Sequence, residues 1–190
     1  MNQKSESNLL FRVGIVAAFA TLSFVGTMLI RIPIPVTGGY FNLGDTFVMA
    51  AALLYGPLVG GLVGAIGPAA ADAIGFPQFI LATAVVKGIE GLIMGLIATG
   101  SRKNKVLPFL AIFAGIGILV TGYYIFEAAI YPAMATYIPF FGVTDAKAAL
   151  AEIPPNLLQG VLSGIVRFPP TPPLRTLLGN LPFCRFLRPA

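Results

Sequence analysis

The chain has 190 residues, 57% of them hydrophobic and only 10% charged, with a mean hydropathy of +0.89. A soluble domain carries about 25% charged residues, so this composition excludes an ordinary soluble fold and points to an integral membrane protein. The single cysteine, Cys184, excludes an intrachain disulfide, the lack of histidine confines any metal site to carboxylates, and the net charge of +5 indicates cytoplasmic loops rather than nucleic acid.

Runs of about 20 apolar residues recur, each long enough at about 1.5 Å per residue to cross a hydrocarbon core of about 30 Å. The first, Leu9–Ile30, is too long for a signal-peptide core and lacks a small-x-small cleavage site, so it reads as a retained helix. Its Gly14-x-x-x-Ala18 and Ala17-x-x-x-Thr21 spacings form a flat stripe, against which a helix of this protein or of another can pack. The connection Arg31–Asp45 mixes Pro33, Pro35, Gly38, Gly39 and Gly44 with Tyr40, Phe41 and Asn42. It is either a plain linker or a loop that folds closely over something.

The second and third runs, Thr46–Tyr55 and Leu58–Ile74, meet at Gly56-Pro57, a pair that breaks a helix and predicts a tight helical hairpin. Gly60, Gly61, Gly64 and Gly67 suit close approach of neighbouring backbones. Asp45 opens the second run as either a helix cap or a site residue. Asp72, near the end of the third, is either solvated at the headgroups or part of a site. The fourth run, Phe79–Thr99, follows Gln78 and carries Lys87 and Glu90 three residues apart, deep enough that both must be paired or face a polar cavity. They neutralise one another or serve a ligand.

The fifth run, Val106–Ile130, carries Tyr123, Tyr124 and Glu127, and Tyr131 follows it. These tyrosines form an interfacial belt or a stacking surface. The connection Tyr131–Pro154 is too long and apolar for a plain linker, and Asp145 to Glu152 predicts a short helix capped by Thr144. The sixth run, Pro155 to about Phe168, presents Asn156 and Gln159 on one face, as helix-to-helix bonding groups or as ligand contacts.

Six spans place the basic residues consistently. Lys4 and Arg12, the loop residues Arg102, Lys103 and Lys105, and the tail residues Arg167, Arg175, Arg185 and Arg188 fall on one side, with only Arg31 and Lys147 opposite. The excess of lysine and arginine marks the cytoplasm, which puts both termini inside. With that orientation Asp45, Asp72, Gln78, Glu127, Asn156 and Gln159 cluster toward the outer ends of their spans, above Lys87 and Glu90. A pore would be polar throughout its length. This pattern draws a cup open to the outside and sealed below.

Catalytic signals are missing. The chain has no Walker phosphate loop, no His–Glu metal motif and no Gly-x-Ser-x-Gly elbow, and Ser23 and Ser163 have no histidine base. An enzyme is not expected, and no cofactor is expected on this chain.

The block GGYFNLGDTFVMAAALLYGPLVGGLVGAIGPAAADAIGFPQFILATAVVKGIEGLIMGLIA, residues 38–98, closely resembles the substrate-binding S components of energy-coupling factor (ECF) vitamin transporters, the riboflavin-type branch in particular. EIPPNLLQG, residues 152–160, resembles the start of that branch's last helix, and the resemblance extends over residues 9–166. It implies a six-helix membrane bundle in the cell membrane that captures a vitamin or vitamin precursor from outside. It also implies a transmembrane coupling protein and two cytoplasmic ATPases, which use ATP and magnesium, as partners. On that resemblance the stripe Gly14, Ala17, Ala18 and Thr21 meets the coupling protein. The first outer loop, Gly39, Tyr40, Phe41, Asn42 and Asp45, covers the ligand. Lys87, Glu90, Tyr124, Glu127, Asn156 and Gln159 line the pocket.

The tail departs from the family pattern. Pro169 and Pro170 interrupt the sixth helix where relatives continue it, which divides the chain into a membrane domain, 1–168, and a Pro/Arg-rich cytoplasmic tail, 169–190. A self-sufficient channel or secondary transporter, and a structural scaffold in which Lys87 and Glu90 only pair, are the competing readings.

Overall fold

The computed structural model describes residues 3–35, 37–99, 104, 106–137 and 146–166. The loop cations Arg102, Lys103 and Lys105, the cap Thr144 with Asp145, and everything after Val166 lie outside the described residues.

Helix α1 spans Gln3–Leu29 and is followed by a two-stranded antiparallel hairpin, β1 Arg31–Ile34 and β2 Gly39–Asn42, with Arg31 opposite Asn42 and Ile34 opposite Gly39. Of the two readings of this connection, the hairpin matches the closely folded loop and not the plain linker. Gly38, with φ of 71°, turns the hairpin and donates its N–H to the Ile34 carbonyl at 3.0 Å.

Helices α2 (Asp45–Tyr55) and α3 (Pro57–Asp72) meet at Gly56, whose φ of 88° ends α2 while Pro57 starts α3. The break expected at Gly56-Pro57 is present. A short 3-10 turn, Pro77–Phe79, leads into α4, Ile80–Thr99. Helix α5, Leu107–Ile125, runs through one π-helical turn, Phe126–Ile130, into α6, Tyr131–Ala135, so this helical rod ends beyond the expected Ile130. Helix α7, Ala146–Leu150, lies within the expected short helix, and α8 occupies Ile153–Val166. Its start precedes the expected Pro155, because prolines in a first helical turn forgo no intrahelical hydrogen bond.

Among the described residues, three helical stretches are long and apolar enough to cross a membrane: Asn8–Leu29, Pro77–Thr99 and Leu107–Ala135. Helices α2 and α3 are shorter and apolar. The bundle packs α3 against both α1 and α4, α4 against α5, and α5 against α8, with α2 near the middle. Glycines permit the closest of these crossings. A Cβ on Gly64 would strike the backbone of Lys87, and one on Gly60 would come within 2.6 Å of Ala52 Cα.

Large apolar side chains cover the outside of the bundle, and a set of polar groups is buried within it. Leu62, Ile89, Leu96 and Phe113 point outward, while Ser23, Thr27, Asp45, Thr83 and Lys87 are buried. That distribution suits lipid as the surrounding solvent. At one end of the bundle Met49, Ala52, Leu53, Met94, Ala98, Ala111, Ile112 and Ile116 pack into an apolar plug. The opposite end holds the hairpin and most of the buried polar groups.

Candidate functional site

A cavity opens at the polar end, beneath the hairpin. Gly39, Tyr40 and Asn42 of β2 form its roof, and Phe79 and Thr83 come from the start of α4. Tyr123 and Glu127 enter from the far end of α5 and its π turn, and Glu152, Asn156 and Gln159 from the start of α8. The π turn widens the helix by one residue where Glu127 projects, a distortion often found at functional sites. The free volume is about 20 Å³, room for about one water molecule, so a larger ligand enters only by displacing the roof or its neighbours.

Two latches hold that roof. Tyr40 Oη donates to Asp72 Oδ1, its ring stacks on Phe76 at 4.5 Å, and the Arg31 guanidinium lies over both rings at 4.9 and 5.2 Å. Arg31 also donates to the Ile74 carbonyl at 2.8 Å and to the Ala71 carbonyl, tying β1 to the end of α3. Asp72 is fully buried there, not solvated at a headgroup. Burial, with the Asp72 charge beside it, pushes the Tyr40 phenol well above its ordinary value, so it stays a neutral donor. On the other side the Thr37 hydroxyl donates to Glu152 Oε1 and accepts the Gly39 N–H at 3.2 Å. Burial raises the Glu152 carboxyl, and the Thr37 hydrogen bond partly offsets the rise.

Below the roof runs a polar network. Gln159 Oε1 accepts the Asn42 N–H at 2.9 Å, and its amide nitrogen reaches Asp45 Oδ2 at 3.5 Å. Asp45 in turn holds Lys87 Nζ at 2.6 Å, and Glu90 lies 3.6 Å from the same ammonium. All three charged groups are buried. Asp45 follows Gly44, which occupies the cap position of α2, so its carboxylate is turned to Lys87 and does not cap the helix.

The candidate pocket residues thus divide by place. Gly39, Tyr40, Asn42, Glu127, Asn156 and Gln159 line the cavity. Asp45, Lys87 and Glu90 sit in the network linked to it through Gln159. Phe41 is buried on β2, and Tyr124 is not among the described residues lining the cavity. Tyr123, one position earlier, occupies the wall and bonds the Thr83 hydroxyl at 2.8 Å. Tyr131 is buried against Phe79 and Phe126, so it does not belong to an interfacial belt.

Phe79, Thr83 and Glu152 also line the cavity and are not among the candidates that the sequence offers, whereas Tyr123 is one of its possible stacking tyrosines. Two signals were available. Thr83 shares a helical face with Lys87 and Glu90 at i, i+4 and i+7, and Glu152 precedes Asn156 by one turn.

On α1, Gly14, Ala17, Ala18 and Thr21 all face outward, and no heavy atom would meet a Cβ at Gly14 within 4 Å. Packing inside the bundle uses the opposite face of α1, through Ala20, Ser23 and Thr27. An apolar groove of about 410 Å³ adjoins the stripe, bordered by Val13, Val16 and Ala17 of α1 and by Leu58, Leu62 and Ile66 of α3.

A family model described as "ECF-type riboflavin transporter, S component" matches residues 8–174. The chain belongs to that family. It is also 44% identical over 142 residues to a protein of Pyrococcus woesei described as an uncharacterized protein in a gap 3' region, a match covering 75% of this chain and 86% of the relative. As an S component, the protein is a substrate-binding transporter subunit in a membrane, and its family is one of transporter subunits and not of enzymes.

Proposed function

We propose that the protein is the substrate-capture subunit of an ECF-type importer of the cell membrane, taking a vitamin or vitamin precursor from outside. In this reading the bundle crosses the membrane six times with both termini inside, and the hairpin faces the exterior. The observation that carries it is the pairing of a polar cavity under a latched roof with an apolar plug at the other end. A capture subunit holds its ligand and releases it only when a partner acts. A channel or self-sufficient carrier needs a polar route through the inner half, where Met49, Leu53, Met94 and Ile112 pack together.

The outward stripe Gly14, Ala17, Ala18 and Thr21, with its adjoining groove, is the surface for a helix of the coupling protein. Two ATPases bound to that protein hydrolyse ATP with magnesium. Titration of the purified full-length protein with riboflavin, pyridoxine, thiamine precursors, cobalamin and queuosine-type bases tests the capture step. Tight, stoichiometric binding of one compound is expected. A folded protein that binds none of them overturns the reading.

A further inference from the structure

The groove between α1 and α3 has a shape and a charge of its own. Val13, Val16 and Ala17 border it on one side, and Leu58, Leu62 and Ile66 on the other. The two helices touch at its inner limit, where a Cβ on Gly67 would come within 2.7 Å of the Ala20 carbonyl oxygen. From Ala20 the groove runs to Leu9, beside the end of the apolar stretch Asn8–Leu29. At about 1.5 Å per residue that distance is about 17 Å, close to one leaflet of a hydrocarbon core about 30 Å thick. A volume of about 410 Å³ spread over about 17 Å leaves a mean cross-section of about 25 Å². A helix about 10 Å across needs about 80 Å². The groove is too narrow to seat a helix and takes a single row of methylene groups. A coupling-protein helix lying on the neighbouring stripe spans it without filling it.

Arg12 is the one charged group among the described residues lining the groove. It is exposed, and it makes no ion pair or hydrogen bond among the described residues. It stands one helical turn inside the apolar stretch. Each Cα–Cβ bond of a helix leans toward the N-terminus, so the long side chain reaches back to the mouth of the groove and to the membrane surface. Lipid phosphates lie at that level, and the planar fork of a guanidinium matches two phosphate oxygens.

We propose that this groove binds one acyl chain of an anionic phospholipid, with the headgroup phosphate on the Arg12 guanidinium. A zwitterionic lipid brings the same phosphate beside a cation of its own, which competes with Arg12. The site requires only that the bundle stand in a bilayer, and it is independent of the ligand in the outer cavity.

The chain contains no tryptophan, so Leu62→Trp gives the groove a fluorophore of its own. Phe113→Trp, at an outward-facing position of α5, is the control. The full-length proteins are reconstituted in phosphatidylcholine vesicles containing brominated-chain phosphatidylglycerol or, in parallel, brominated-chain phosphatidylcholine. Bromine quenching reports which chains lie against each indole. At Leu62→Trp, phosphatidylglycerol is expected to be favoured about fivefold, the effect of one basic residue at a charged lipid surface. At Phe113→Trp the two lipids quench alike. Adding Arg12→Gln to Leu62→Trp removes the preference, and soluble glycerol phosphate does not compete. Leu58→Trp, at the mouth, gives the same reading if bulk at the first position obstructs the groove. Equal quenching at both groove positions overturns the proposal. So does the same preference at Phe113→Trp, a preference that survives Arg12→Gln, or competition by glycerol phosphate, which would mark a site for the free headgroup. Vitamin binding is measured separately, and neither result decides the other.

Discussion

Lys87 Nζ lies 2.6 Å from Asp45 Oδ1 on the neighbouring helix, closer than the 3.6 Å that separates it from Glu90 on its own. The ammonium therefore pins α4 to the first residue of α2, directly below the hairpin. Gln159 joins the same carboxylate to the Asn42 backbone of the roof. The roof and this buried pair are thus joined through two hydrogen bonds.

Removing only the lysine strands Asp45 without its counter-charge. Lys87→Met is expected to cost about 3–5 kcal/mol, the range for breaking a buried ion pair from one side. The Asp45→Asn/Lys87→Met double variant recovers part of that loss, because Asp45 is no longer stranded while Glu90 still lacks the ammonium. Glu90→Gln, which leaves the shorter contact intact, costs less than Lys87→Met. Thermal unfolding of the detergent-purified proteins ranks the three, and an equal loss for Glu90→Gln and Lys87→Met would contradict the cross-helix pair as the dominant one.

Gly64 is a second handle on the same lysine. Its missing Cβ leaves room for the Lys87 backbone, so Gly64→Ala forces α3 and α4 apart. Overpacking of this kind costs about 1–3 kcal/mol. Gly14→Ala, where a Cβ meets nothing, serves as the control and leaves the unfolding temperature unchanged or slightly raised.

Arg31 sets how firmly the roof is shut. Arg31→Lys keeps the charge but loses the planar fork that reaches two carbonyls and covers two rings. Hydrogen exchange across Arg31–Asn42 is expected to quicken about tenfold, matching the loss of about 1.4 kcal/mol of local closure. A bound ligand is released faster to the same degree. Unchanged exchange in this segment argues against the latch.

Glu152 gives the roof a pH dependence of definite sign. Its carboxyl is raised by burial, so the folded protein holds that proton more tightly than the unfolded chain does. Its contribution is complete below the unfolded value of about 4.3 and declines as pH rises through the raised folded value. The unfolding temperature is expected to fall as pH rises above the unfolded value of about 4.3 in the native protein, and to fall less in Glu152→Gln. Parallel pH profiles for the two proteins would assign the dependence to another group.

The α1 stripe predicts a variant that separates binding from assembly. Ala17→Leu or Ala18→Leu adds bulk to an outward face that the bundle does not use. Ligand affinity and thermal stability stay within error of the native protein, while co-purification with the coupling protein is lost. Loss of ligand binding instead would place the stripe in the protein's own fold.

Composition and local chemistry determined much of this protein. The scarcity of charge announced a membrane protein, and the apolar periods located the helices. Gly56-Pro57 marked the break between α2 and α3, because a positive φ followed by a missing N–H cannot continue a helix. The gathering of polar residues toward one end was also legible, because lipid tolerates such groups only where they can be paired or wetted.

Which groups meet was decided only by the tertiary structure. Lys87 and Glu90 are neighbours by helical spacing, yet the shorter contact goes to Asp45, far away in the chain. Tyr123 and Tyr124 read alike in sequence, and the packing of α5 against α4 and α8 put Tyr123 in the cavity wall. The hairpin left the weakest trace, since four-residue strands, one of them holding Pro33, carry little periodicity of their own. It is ordered by Arg31, Tyr40 and Thr37 reaching Ala71, Asp72 and Glu152. Local sequence determines where a helix starts and stops, because those forces act within a turn; partners across the bundle are chosen by packing, which no local pattern encodes.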